Sequence, residues 1–160
     1  MILLYPHRGG WHLPLTLRQA HLADHAGQVS LPGGAIDPGE TSRQAAVREL
    51  YEEIAVEPSN VALLGRLSPV YVEVSNFLIT PWVAFSSERP PLTPNPDEVE
   101  EVIEVPLAHL LDADNFGSQV REYRGRCYTA PHFAWQSHRI WGATCMILGE
   151  LVTVLEPLGV

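Results

Sequence analysis

Three glutamates, Glu49, Glu52 and Glu53, follow Arg48 within residues 34–56, and this stretch constrains the chain more than any other. Pro38-Gly39 marks a turn, Thr41 or Ser42 is a suitable N-cap, and the spacing beyond predicts a helix from Ser42 to Ile54. At about 100° per residue, the three glutamates fall within an arc of about 100°, while Ala46, Val47, Leu50 and Ile54 occupy the adjoining flank. One flank packs and the other gathers charge. Carboxylates about 6 Å apart repel by roughly 3 kcal/mol per pair at an effective dielectric near 20, so three that face a common point need compensation. A divalent cation supplies it. An isolated Glu-x-x-Glu-Glu string is more often a solvated helix face, which needs none.

The surrounding residues decide between these readings. Gly34 is followed after five residues by Glu40, and after seven more by Arg48-Glu49-Leu50-x-Glu52-Glu53-x-x-Val56. This pattern resembles the Nudix box at every position except its late glycine, where Ala55 stands. The resemblance implies the Nudix fold, an α/β (α+β) architecture with a mixed β-sheet sandwiched between α-helices. It also implies a hydrolase of nucleoside diphosphates linked to another group, working with Mg²⁺ or Mn²⁺. Glu49 and Glu53 are then the expected metal ligands, and Glu52 is either a third ligand or the residue that orients or deprotonates water. Arg48, a candidate catalytic residue, is expected to pair with Glu40 or Glu52 rather than to touch substrate. At position 55 a glycine would ease a left-handed turn, so the helix exit is where the departure should tell.

Residues 15–34 narrow the resemblance. Leu15-Thr16-Leu17-Arg18, Gly27 and Leu31-Pro32-Gly33-Gly34 are similar to the signature that precedes the box in coenzyme A pyrophosphatases, with Pro14, Gln19, Ala23 and Leu31 departing from it. Asn95-Pro-Asp-Glu-Val99, Val105-Pro-Leu107 and Arg139–Thr144 extend the likeness. It implies Arg18, Gly27, Pro32, Gly33 and Gly34 as substrate-binding residues. Arg18 becomes the candidate cation for a coenzyme A phosphate, because Ala23 replaces an arginine. The implied reaction is attack of water on the pyrophosphate of coenzyme A or an acyl derivative, giving 3′,5′-bisphosphorylated adenosine and a phosphopantetheine. Hydrolysis of ADP-ribose, NADH or another nucleoside diphosphate derivative is the alternative. A nucleotide-sensing module is a third, but a sensor has no need of an intact set of glutamates.

The 160 residues suit one domain, 1–160, and the 46 % apolar content argues against disorder. A formal net charge of −9 argues against nucleic acid as partner and leaves a small nucleotide held through metal. Met1–Tyr5 is too short for a signal core and no apolar run approaches a membrane span, so a cytoplasmic enzyme is expected; the oligomeric state is open. Cys127 and Cys145 read as isolated packed thiols.

Coarse patterning predicts a hairpin of Ile2–Tyr5 and Trp11–Arg18, then strands at Val61–Leu67, Val70–Val74 and, broken at Pro81, Asn76–Phe85. Pro90–Glu98 is a stiff proline-rich connection expected to cross the site. It carries Glu98, either a catalytic base or extra ligand, or a solvated carboxylate. Further strands are expected at Val99–Val105 and Tyr128–Phe133, with a helix from Pro106 through Leu111 and polar, mobile chain over Asp112–Tyr123. A core helix to Leu155, counting Ile140 among its apolar positions, ends the reading. His7, His12 and His109 are expected at the surface, and His21 and His25 in a loop.

Overall fold

Alternation along the first two strands sets the architecture. In β1 (Ile2–His7), Leu3 and Tyr5 bury themselves on one face and Ile2 on the other, as the two-residue period of a strand requires. The computed structural model that shows this describes residues 1–21, 26–123 and 125–158. β2 (Gly10–Arg18) returns antiparallel, with Tyr5 opposite His12. β2 is flanked further along by β3 (Val29–Ser30) and by β8 (Val99–Pro106), while β1 pairs parallel with β7 (Trp82–Phe85), which pairs antiparallel with β4 (Ala62–Arg66). The result is a six-stranded mixed sheet.

Both faces are covered. Leu3, Tyr5 and Ala84 pack with Leu50, Ile54 and Val56 of α1 (Ser42–Ile54) and its exit. On the opposite face Ile2, Leu13, Leu15, Ile103 and Val105 pack with Leu107 and Leu110 of α2 (Leu107–Leu111) and with Ile147, Leu148 and Leu151 of α3 (Gly142–Leu155). Each such aliphatic side chain contributes about 1.5–3 kcal/mol by leaving water, which is what clamps the two helix layers onto the sheet. This is the α+β sandwich that the sequence leads one to expect. Among the described residues no helix is long and apolar enough to cross a membrane.

Several expectations need correction. Asp112–Tyr123 is not mobile chain: Phe116–Tyr123 forms β9, paired residue for residue with β10 (Arg126–Trp135), and β10 pairs in turn with β11 (His138–Trp141). Cross-strand bonding overrides its polar composition. Ile140 consequently belongs to β11, not to the last helix. The run from Val70 to Ile79 folds back on itself as β5 (Val70–Val72) and β6 (Phe77–Ile79), turning at Asn76 with φ of 56°. His12 is buried, its Nδ1 3.4 Å from the Gly10 carbonyl oxygen and its ring edge-on to His7. His109 is half-buried, with Nε2 2.6 Å from the Ala134 carbonyl oxygen and its ring against Trp135. Cys145 is buried as expected, but Cys127 is exposed on β10. His21 is exposed in a turn, whereas Ala23 and His25 lie outside the described residues.

α1 begins and ends as its sequence dictates. Thr41 is the N-cap, and a capping box closes reciprocally: Gln44 N donates to Thr41 Oγ1 at 3.3 Å, and Thr41 N donates to Gln44 Oε1 at 2.9 Å. At the exit Ala55 adopts φ 58°, ψ 31° and donates to the Tyr51 carbonyl oxygen at 2.8 Å. That left-handed geometry crowds a Cβ. Ala55→Gly should therefore raise stability by about 0.5–1 kcal/mol, read as a later midpoint in urea unfolding. An unchanged or earlier midpoint would show the left-handed exit to be free of strain.

Away from α1, Glu104 on β8 accepts from Tyr5 Oη and Arg89 Nε at 2.8 Å each, and from Arg89 Nη2 at 2.8 Å. Arg89 above all, and then Tyr5, hold its carboxyl down at about 2 against partial desolvation. A depressed acid stabilises the fold above its unfolded value near 4.5, and that contribution fades as pH falls from there toward 2. Arg89→Ala should cost about 1–2 kcal/mol at pH 7 after discounting for solvent screening of the half-exposed pair. The difference from wild type should shrink steadily below about pH 4 in denaturation series, and a difference independent of pH would exclude the ion pair as its source.

Candidate active site

α1 sets its three glutamates at three depths. The side chain of Glu52 is 49 % exposed, that of Glu49 14 %, and Glu53 as a residue only 2 %. Leu50 and Ile54 anchor the adjoining flank in the core, so the rotation of the helix leaves Glu53 pointing inward. Glu53 Oε2 is sealed from solvent and has no hydrogen-bond partner. Burial, and secondarily the charge of Glu49, push the Glu53 carboxyl up to about 7. Glu49 is also raised, by its own desolvation, despite the bond from Arg48.

Arg48 gathers the shallower acids. Nη1 donates to Glu49 Oε1 at 2.8 Å and Glu52 Oε2 at 2.7 Å, and Nη2 donates to Glu40 Oε1 at 2.7 Å and the Ala35 carbonyl oxygen at 3.0 Å. Its partners raise its own pKa and hold Glu40 below the usual carboxylate range. The expected pairing with Glu40 or Glu52 is a pairing with both, and with Glu49. Arg48 thereby ties the turn at residues 35–40 to the helix.

The turn before α1 closes on the same group. A Cβ on Gly34 would overlap the Glu49 carboxylate. Glycine is needed there for room, since Gly34 is not among the residues with positive φ. Pro32 is buried and its carbonyl oxygen accepts from the Met1 nitrogen, which fixes the turn to the start of β1. Gly33 and Gly34 are exposed.

Arg18 approaches from the end of β2. The register with β8 slips between Leu17 and Arg18, the kind of bulge that re-aims a side chain. Its backbone is held by Arg18 N donating to the Gln28 carbonyl oxygen and Gly27 N donating to the Arg18 carbonyl oxygen, each at 3.1 Å. Arg18 Nε is sealed without a partner, and the guanidinium charge reaches Glu53, opposing the upward shift there. Gly27 therefore supports Arg18 by a backbone bond.

The proline-rich connection crosses the site as expected, pinned at both ends. Thr93 N donates to the Ile54 carbonyl oxygen at 3.0 Å and Asn95 N to the Glu53 carbonyl oxygen at 2.8 Å, which satisfies carbonyls at the end of α1. Gln19 N donates to the Glu98 carbonyl oxygen at 3.0 Å, and Gln19 Nε2 to the Pro96 carbonyl oxygen at 3.0 Å. Glu98 is thereby half-buried within electrostatic reach of Glu49 and Glu53. Gln19 and Asn95 were not legible as site residues. Gln19 stood out only as a departure from the signature beside Arg18.

Glu49, Glu53, Glu98 and Arg18 thus meet at one place, with Arg48 and Glu52 on its outer rim. Among the described residues no three carboxylate, imidazole or thiolate side chains close into a cage around a cation, because Glu49 and Glu52 turn to Arg48. The donor set nonetheless suits a hard divalent ion. It consists of oxygens, one sealed and orphaned, on two carboxyls whose pKa values are raised, by desolvation above all. A cleft of about 530 Å³ lies between the β1–β2 turn, β8 and Trp135, and is lined by none of these residues.

Fold and site together define an α+β domain built around an acidic helix. Residues 1–123 match the family model described as NUDIX domain, and the chain belongs to the Nudix family. It is similar to a Salmonella paratyphi B protein named uncharacterized Nudix hydrolase NudL, 40 % identical over 87 % of this chain and 72 % of that one. A Caenorhabditis elegans protein named Nudix hydrolase 3 is 32 % identical over 89 % of this chain, which spans only 66 % of the worm protein. Among solved structures, the Mycobacterium smegmatis Nudix hydrolase RenU superimposes with a TM-score of 0.57 at 26 % identity, covering 68 % of each chain. A C. elegans Ap4A hydrolase complex gives 0.57 at 20 % identity over 67 % of this chain and 77 % of that one, a likeness of fold alone.

Proposed function

We propose that this chain is a pyrophosphohydrolase that cleaves coenzyme A or acyl-coenzyme A into 3′,5′-bisphosphorylated adenosine and a phosphopantetheine. The observation that carries the reading is the buried Glu53, with an orphan oxygen, beside Glu49 and facing Arg18. Glu53 and Glu49 would hold Mg²⁺ or Mn²⁺, with Glu52 available at the rim. When bound, the ion draws charge from the pyrophosphate and makes water more acidic. Glu98, its backbone held by Gln19 and Asn95, would accept the proton of the attacking water. Arg48 positions Glu49 and Glu52, donating to both from Nη1, while its bonds to Glu40 tie it to the turn. Arg18 gives the anionic substrate a cation on a chain whose net charge of −9 otherwise repels it.

The signature around Arg18, Gly27 and Pro32-Gly33-Gly34 supports coenzyme A as substrate. Ala23, in place of an arginine, favours a second reading, hydrolysis of ADP-ribose, NADH or a dinucleotide that lacks the 3′-phosphate. A product assay with Mg²⁺ against coenzyme A, ADP-ribose, NADH and nucleoside triphosphates separates the two; turnover of none would leave a binding module. Within the first reading, Arg18→Ala should raise KM mainly for coenzyme A. It should narrow its advantage over dephospho-coenzyme A by about ten- to a hundredfold, the scale of a lost charge-assisted contact. An equal loss on both substrates would assign Arg18 to holding the site together instead.

A further inference from the structure

Four of the ten arginines fall between residues 121 and 139, a segment with one acidic residue in a chain that has nineteen. Register sorts them. His132 on β10 stands opposite Trp141 of β11 and Gly117 of β9, Ala130 opposite Gln119, Tyr128 opposite Arg121, and Ala134 opposite Arg139. Because side chains alternate along strands, Arg121, Gln119, His132, Trp141 and Arg139 share one face, while Phe133 and Ile140 enter the core from the other.

That face is organised. The Arg121 guanidinium lies 3.7 Å over the Trp141 ring, a cation–π stack. With the Gln119 amide oriented to suit its donors, its carbonyl accepts from Arg121 Nε at 2.9 Å and Nη2 at 3.1 Å, which fixes the guanidinium plane. His132 is nine-tenths buried, and its Nδ1 is sealed without a partner. The ring proton therefore belongs on Nε2, on the side of Gly117, where the missing side chain leaves the imidazole room. Desolvation, then the charges of Arg139 and Arg121, lower the His132 pKa and keep the ring neutral. Arg48 and Arg89 are bonded to carboxylates, but among the described residues no carboxylate pairs with Arg121 or Arg139. Among the described residues Arg139 donates to the His138 carbonyl oxygen.

Two uncompensated guanidinium charges and an imidazole donor, on a strongly acidic chain, are matched to a dianion with tetrahedral oxygens. We propose that this face of β9–β10–β11 is an anion site, separate from the acidic helix, that binds a phosphomonoester. The ligand is free inorganic phosphate or the phosphate of a nucleotide. The site is independent of the substrate proposed above, because none of its residues belongs to the acidic helix or its loops.

The test is an NMR titration of the whole chain with chelator present, so that no cation draws phosphate to Glu49 and Glu53. Inorganic phosphate, adenosine monophosphate and, as the uncharged control, adenosine are added at constant ionic strength. Saturable shifts of the His132 ring and Trp141 indole resonances are expected with either phosphate compound and not with adenosine. Arg121→Gln and the exposed Arg139→Gln should each weaken binding at least about tenfold, and Arg139→Lys should recover part of it. Tighter binding of the nucleotide assigns the ligand to nucleotide phosphates, and equal binding assigns it to inorganic phosphate. Shifts that stay linear to about 20 mM phosphate, twenty times a millimolar Kd, would overturn the site. So would equal affinity in wild type and a correctly folded Arg139→Gln.

Discussion

Glu53→Gln is expected to lose turnover by about two orders of magnitude or more while keeping the fold, because it preserves shape and removes a full negative charge from the place where a cation would sit. Glu49→Gln should behave alike. Stability separates this from a structural defect. In wild type without metal, Glu53 is raised to about 7, so the folded state favours the protonated carboxyl. For a raised acid, stability is greatest below the unfolded value near 4.5 and is lost as pH rises from there through 7. Glutamine has no proton to lose, so at pH 8 and without metal the mutant should unfold no earlier than wild type, and later by an amount on the order of 1–3 kcal/mol. Circular dichroism melts at pH 5 and pH 8 with chelator, beside assays with Mg²⁺, check both halves. Near-normal turnover in both mutants would remove the metal assignment, and an early melt at pH 8 would make Glu53 a packing residue.

That contrast shows what the sequence could and could not supply. The helix and its acidic face were legible because their information is local: a cap, a spacing and a flank of apolar residues within 23 positions of each other. Ala55 was legible for the same reason, and the left-handed exit follows. The burial of Glu53 was not, because it depends on residues outside α1 that the fold brings there: Met1, packed with Leu50 and Ile54, and Asn95, whose backbone bonds the Glu53 carbonyl. Glu98 could be suspected from its loop, yet what holds it is Gln19, 79 residues earlier, whose amide and backbone bonds no pattern announces. β9 was misread because Gly117, Ser118 and Gln119 lack strand propensity, and only eight-residue pairing with β10 makes them a strand. The same pairing assembles the arginine face. Its members are up to 22 positions apart, and register alone brings Arg121 over Trp141.

Gly34→Ala is the sharper test of the site, because it alters no charge. The sequence makes Gly34 one of a glycine pair in a turn, where flexibility would be the ordinary explanation. Space is the reason instead: its φ is not positive, and an added Cβ would occupy the position of the Glu49 carboxylate. The obstructed group is the far end of a flexible side chain, so Glu49 can rotate away and the fold should lose no more than about 1 kcal/mol. Rotation takes the carboxylate from the place it shares with Glu53, and a displacement of about 1 Å at a reacting centre is worth up to a hundredfold in rate. We therefore expect kcat/KM to fall by about ten- to a hundredfold and manganese affinity to fall with it, at nearly unchanged thermal midpoint. Gly65→Ala is the matched control, since a Cβ there meets nothing within 4 Å and the residue makes no part of the acidic cluster. Isothermal titration with Mn²⁺ and steady-state assays on both variants decide the point. Full activity and metal affinity in Gly34→Ala would mean that Glu49 need not stand against the turn, and its role as a ligand would lose its geometric support.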